Sequence, residues 1–131
     1  MQEHKSSDAR GKVLRPVLRT LHGKSTEIEA SAVISGDGLT LASVLAEGVD
    51  PDRFGAMCAS LLALADQAAQ EVARGQLKQV LVEGDRGTML LVHAGSDAVL
   101  AVAARPGINL GMVFLEAKKA ANEVTAALKA Q

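Results

Sequence analysis

The run Ala32-Val33-Ile34-Ser35-Gly36-Asp37-Gly38-Leu39-Thr40-Leu41-Ala42-Ser43 decides how the rest of the chain is read. Two glycines around an aspartate suit either a phosphate cradle or the corner of a β-hairpin. A dinucleotide-binding fingerprint needs a third glycine and a helix opening directly behind it. Leu41 stands where that glycine belongs, and an alternating, strand-like run follows. Two alternating runs joined by Asp-Gly are instead a hairpin signal, with the glycines supplying positive φ angles. The other phosphate-like string, His22-Gly23-Lys24-Ser25-Thr26, fails in the same way. A P-loop needs a glycine where Leu18 stands, a strand before it and a helix behind; here a helix precedes and a strand follows.

Working outward, Ile28, Ala30, Ala32 and Ile34 alternate with Glu29, Ser31, Val33 and Ser35, which predicts a strand. Upstream, Val13, Leu14, Val17, Leu18 and Leu21 recur at helical spacing and predict a helix from about Lys12 to His22. Pro16 fits if it lies in the first turn, and Gly23 is a natural stop. Residues 1–10 are expected to be a polar, flexible tail, and residues 11–131 a single domain. Downstream, Asp50 and Pro51 form an N-cap and first helical position, opening a helix that runs to about Arg74. Three strands follow, at about Gln76–Glu83, Thr88–His93 and Ala98–Ala104, with turns at Gly84–Gly87 and Ala94–Asp97. The last of them is apolar throughout and belongs at the sheet's centre. The first carries Lys78, Gln79 and Glu83 and suits an edge. A final helix from about Asn109 buries Leu110, Val113, Ala117, Ala120, Ala121, Val124 and Leu128 on one stripe, leaving out Met112 and Leu115. The result is an α/β fold: an αββαβββα sandwich around a mostly antiparallel five-stranded sheet.

Composition narrows the function classes. With two Phe and neither Tyr nor Trp among 131 residues, there is no stacking platform for single-stranded nucleic acid. Cys58 is alone, so there is no disulfide framework and no cysteine-based metal site. His4, His22 and His93 are far apart and show no metal-ligand spacing. The carboxylates gather in turns (Asp85, Asp97) and at a helix start (Asp50, Asp52), where capping explains them. No catalytic constellation emerges, and neither enzyme activity nor a cofactor is expected. The N-terminus MQEHKSSDAR has no apolar signal segment, and the longest apolar run, Ala56–Ala65, is far short of a membrane span. A cytoplasmic protein without membrane insertion is expected. Residues 1–24 hold Lys5, Arg10, Lys12, Arg15, Arg19 and Lys24 against Glu3 and Asp8, so the first helix is basic and the remainder acidic. That asymmetry suits a solvated helix face, or else contact with an acidic partner.

The positive signal is association. The apolar arc of the second helix spans roughly 180°, where about 100° covers one face of a core. Phe54, Leu61 and Val72 lie near its centre, Met57 and Leu64 on one flank, Cys58 and Leu62 on the other. The polar-edged third strand follows it directly. Two copies that pair third strands and pack second helices close both surfaces at once. The expected dimer residues are Leu61, Leu62, Ala65, Ala69, Leu77, Gln79 and Leu81. The helix's polar side, with Asp66, Gln67, Gln70 and Arg74, is left for a partner.

The hydrophobic-x-x-Asp-Gly-hydrophobic-x-hydrophobic-Ala-Ser pattern of residues 32–43 resembles the signature of the roadblock (dynein light-chain) family. The Ala/Leu-rich second helix, the Gly84–Gly87 hairpin and the Pro106-Gly107-Ile108-Asn109-Leu110-Gly111 entry to the last helix are similar to it as well. That resemblance covers about Val13 to Leu128 and implies spatial strand order 2-1-5-4-3, with a homodimer formed through the third strand and second helix. It also implies a non-catalytic partner of a small Ras-like GTPase, since bacterial members accompany such GTPases and some act as GTPase-activating or polarity regulators. In those pairs the dimer's second-helix face engages the GTPase and need not donate an arginine finger; Arg86 is the one loop arginine worth testing here. The alternative is a dimeric scaffold subunit of a larger complex, without effect on nucleotide turnover.

Overall fold

The structure, a computed structural model, describes residues 2–4 and 9–130. The tail expected for residues 1–10 therefore lies partly outside the described residues. The elements in chain order are β1 (Gln2–His4), α1 (Ala9–Lys24), β2 (Ile28–Ser35), β3 (Thr40–Leu45), α2 (Pro51–Glu71), β4 (Gln79–Gly84), β5 (Gly87–Ala94), β6 (Ala98–Ala104) and α3 (Leu110–Lys129). One antiparallel sheet runs β1-β3-β2-β6-β5-β4. Its last five strands follow the expected order 2-1-5-4-3. A sixth strand that sequence reading does not foresee, β1, pairs with β3 through Gln2 opposite Leu45 and His4 opposite Ser43.

The sheet is covered on both faces by two separate apolar layers. On one face, Leu14, Leu18 and Leu21 of α1 and Val113, Ala117, Ala120 and Val124 of α3 close over Val33, Leu90, Val92, Leu100 and Val102. On the other, Cys58 and Leu62 of α2 sit on Ala32, Ile34, Leu91, Val99 and Ala101. Alternate residues of β2, β5 and β6 thus serve opposite layers, and every residue of β6 but Ala103 is buried. The aromatic-poor composition suits this arrangement, because small aliphatic residues let helix and sheet approach closely.

Several local expectations are corrected. Helix α1 starts at Ala9, so Pro16 lies in its interior and not in the first turn, and Gly23 is inside the helix instead of ending it. Pro16 has no N–H to offer the carbonyl four residues back, and its own side chain is exposed to solvent. Strand β4 starts at Gln79, three residues later than predicted, and α2 ends at Glu71. In β2, Ile28 joins the α1/α3 layer although it alternates with Ala32 and Ile34. The cause is a register shift between Ile28 and Ala30, opposite Ala104 and Ala103. The extra residue reverses the facing of everything before it.

The decisive hairpin also differs in detail from an Asp-Gly two-residue turn. The Ser35 amide donates to the Leu39 carbonyl at 2.8 Å, and the Gly38 amide donates to the Ser35 carbonyl at 2.9 Å. The loop is therefore the three residues Gly36-Asp37-Gly38. Only Gly38 has a positive φ, +91°, the left-handed residue that a three-residue hairpin requires.

Candidate protein-interaction surface

Helix α2 is placed by the hairpin. Thr40 Oγ1 donates to the Pro51 carbonyl at 2.6 Å, fixing the first turn of α2 over the start of β3. Asp50 caps that turn, accepting from the Asp52 amide at 3.0 Å. A Cβ on Gly55 would sit 2.2 Å from Thr40 Oγ1 and 2.9 Å from the Gly38 carbonyl oxygen. The contact is closed to any side chain. So the hairpin signature seats a helix; it cradles no phosphate.

Seated this way, α2 buries Gly55, Cys58 and Leu62 and turns the rest of its wide apolar arc outward. Leu61 and Phe54 are half-buried against the sheet, whereas Met57 is 60% and Leu64 66% exposed. Helix α1 lies on the opposite face and covers none of this flank. The other flank of α2, with Ala59, Ala63, Asp66 and Gln70, borders a groove of about 600 Å³ closed by His93, Gly95 and Ser96.

Beyond α2, β4 is the free edge of the sheet. Pairing with Leu91 and Met89 puts Val80 and Val82 on the α2 face. Pairing with Leu90 puts Leu81 on the α3 face. Leu81 is 49% and Val82 39% exposed, a large apolar share for an edge strand. Arg86 stands exposed in the two-residue turn that joins β4 to β5.

The residues singled out by sequence fall into three groups. Leu61, Ala65, Ala69, Gln79 and Leu81 are half-buried or exposed along α2 and β4. Leu62 is only 8% exposed and belongs to the protomer's own core. Leu77 lies outside β4, in the connection from α2, and is partly buried against that same layer. Of the partner-facing set, Asp66 is half-buried and holds that connection. Its Oδ1 accepts from the Leu77 amide at 3.3 Å and its Oδ2 from Gln70 Nε2 at 3.0 Å. Arg74 Nε donates to the Val72 carbonyl at 3.2 Å, while Gln67 is exposed. Met57, Leu64 and Val82 are exposed apolar residues missing from the predicted set. The spacing 57, 61, 64 carries the first two, and alternation with Val80 carries the third.

Titratable groups offer little chemistry. Burial pushes the Cys58 thiol up to about 11, so its thiolate is scarce at neutral pH. The Ser35 hydroxyl donates to the Asp37 carboxylate, which lowers that carboxyl's pKa and stiffens the hairpin. Among the described residues no group of three or more His, Cys, Asp or Glu side chains is placed to hold a metal ion. Among the described residues, too, no helix is long and apolar enough to cross a membrane.

Comparison with known proteins agrees with this geometry. The Roadblock/LC7 domain family model matches residues 18–104, and the chain belongs to that family. An uncharacterized protein of Methanocaldococcus jannaschii is 36% identical over 103 residues, covering 79% of this chain and 90% of its own. Among solved structures, MglB of Myxococcus xanthus superposes with a TM-score of 0.84 at 20% identity, covering 97% of this chain and 96% of MglB. A Roadblock/LC7 domain from Streptomyces avermitilis gives 0.75 at 24% identity, covering 88% and 97%.

Proposed function

We propose that the protein is a non-catalytic homodimer that binds a small Ras-like GTPase and modulates its GTP hydrolysis. One observation carries the reading: the exposed apolar flank of α2, Met57 and Leu64, accompanies a bare β4 edge that also shows Leu81 and Val82. An apolar surface of this kind is unfavourable in water and marks an association site. Pairing two β4 edges while packing two α2 flanks removes it in one two-fold interface. The GTPase then meets the polar side of α2, through Gln67 and Gln70, with Arg74 at the helix end. Family membership and the MglB-like fold support this partner class.

The test has two stages. Mass in solution at micromolar concentration is expected to be that of a dimer. GTP hydrolysis by a Ras-like GTPase from the same genome is then followed with and without the protein. A complex with an altered rate supports regulation. A complex without a rate change indicates the scaffold reading. Neither complex nor rate change sinks the GTPase reading.

A further inference from the structure

The basic charge of this chain is segregated to one face, away from the α2 surface. Helices α1 and α3 together hold eight Lys and Arg against two Glu. Residues 25–109, between them, hold five Lys and Arg against eleven carboxylates. Both helices lie on the face of the sheet opposite α2. The molecule is therefore positive on its α1/α3 face and negative on the remainder, which steers that face towards an anionic partner.

Helical spacing turns the cations outward. On α3, Val113, Ala117, Ala120, Ala121 and Val124 are buried, so the opposite stripe meets solvent. That stripe holds Lys118, Lys119 and Lys129, all exposed, with Met112 52% and Leu115 55% exposed beside them. On α1, Leu14, Leu18 and Leu21 are buried, while Lys12, Val13 and Arg19 are exposed. The two glutamates stand aside from this surface. Glu116 and Glu123 line the seam between the helices, together with Lys24. The seam is nearly filled, with a cavity of only about 10 Å³.

Such a face suits an anionic polymer or an anionic surface, and its details choose between them. An acidic peptide gains most from a groove, and the filled seam offers none. A nucleic-acid backbone uses the cations but gains nothing from exposed Met and Leu side chains among them. An anionic bilayer uses both: lysines meet the headgroups, and apolar side chains enter the boundary with the acyl chains.

We infer that the α1/α3 face adsorbs to an anionic lipid surface. Lys12, Lys118, Lys119 and Lys129 meet the headgroups, and Met112 and Leu115 insert between them. The contact is peripheral, since among the described residues no helix is long and apolar enough to cross a bilayer. It stands without the dimer proposed above, which strengthens it. Antiparallel pairing of two β4 edges keeps both α1/α3 faces on one side of the sheet, doubling the cations and leaving the α2 face to the GTPase.

Co-sedimentation of the full chain with lipid vesicles is the test. Binding is expected to phosphatidylcholine vesicles containing about one-third phosphatidylserine, and not to phosphatidylcholine alone. Raising salt from about 0.1 M to about 0.5 M should release most of the protein, because screening shortens the reach of the headgroup charge. Each cation near the surface is worth on the order of fivefold in affinity. Lys118→Gln with Lys119→Gln is therefore expected to weaken binding by about tenfold or more, and Lys118→Arg with Lys119→Arg to retain it. Met112→Ser with Leu115→Ser should also weaken binding, through lost insertion. All four positions are exposed, and unfolding midpoints check that each variant keeps its fold. No binding to either vesicle, equal binding to both, or unchanged binding by the Gln pair overturns the proposal. Capture by polyglutamate or duplex DNA without vesicle binding overturns it in favour of an acidic protein or a nucleic acid. A monomeric mass removes the dimer, and anionic-vesicle binding by that monomer still supports the lipid contact.

Discussion

Thr40 and Gly55 show how one residue pair translates the hairpin into a surface. The threonine's hydroxyl holds the Pro51 carbonyl, and the glycine leaves room for that hydroxyl. Gly55→Ala places a methyl into Thr40 Oγ1 and is expected to cost about 1–3 kcal/mol, as overpacking does. In a Thr40→Ala background the closer of the two clashes is removed and only the 2.9 Å approach to the Gly38 carbonyl oxygen remains, so the second substitution costs measurably less. Urea unfolding of the four-member cycle checks this, and strict additivity contradicts it. His22 gives a second prediction. Its Nε2 lies 2.8 Å from Ser31 Oγ, and burial lowers its pKa below the ordinary 6.5. The unfolded chain therefore takes up a proton near pH 6.5 that the folded chain refuses until lower pH. Stability is retained above that value and falls as pH drops through it. Unfolding free energies between pH 7.5 and 5.5 should show the loss, and His22→Gln should flatten it.

At the scale of elements, the end of α2 departs from the usual helix stop. The Arg74 amide donates to the Ala69 carbonyl at 2.7 Å and the Ala73 amide to the Gln70 carbonyl at 3.0 Å. That is the Schellman pattern, whose left-handed position normally holds glycine. Here Ala73 occupies it with φ +58°. A left-handed non-glycine residue costs roughly 1–2 kcal/mol. Ala73→Gly is expected to raise stability by about 1 kcal/mol, read as a higher unfolding midpoint; an unchanged or lower midpoint counts against the strain. The β4–β5 turn is equally demanding. Gly87 has φ +135°, and a Cβ there would lie 2.3 Å from the Ala104 carbonyl oxygen. Gly87→Ala should cost about 2 kcal/mol or more, because strain and collision with a central strand coincide.

For the whole molecule, two apolar layers on one sheet account for α1, α3 and the inner side of α2, and leave the outer flank of α2 without cover. A Leu64→Glu substitution alters nothing buried. It should therefore leave the monomer's secondary structure intact while shifting the mass in solution towards the monomer. Loss of folded signal instead would mean that Leu64 is part of the core. Cys58 offers a complementary probe, since a buried thiol raised to about 11 should resist alkylation at neutral pH until the chain unfolds. Rapid labelling of the native protein would argue that the layer under α2 opens readily.

Element order, the central place of β6 and the edge place of β4 were legible in the sequence. Hydrophobic periodicity and turn residues are local records of which face each element buries. The excess arc of α2 was legible for the same reason. Division of that arc was not: Leu62 fell to the protomer's core, Met57 and Leu64 to the surface, because the sheet's position over the helix assigns them. Asp66 looked like a free surface carboxylate until the chain's return from α2 brought the Leu77 amide to it. The bulge before Ala30 and the pairing of β1 with β3 were equally hidden, since both depend on the partner strand. The sequence by itself determined what must be buried; only the tertiary structure decided against what, because burial is written into each residue and partners are set by distant parts of the chain.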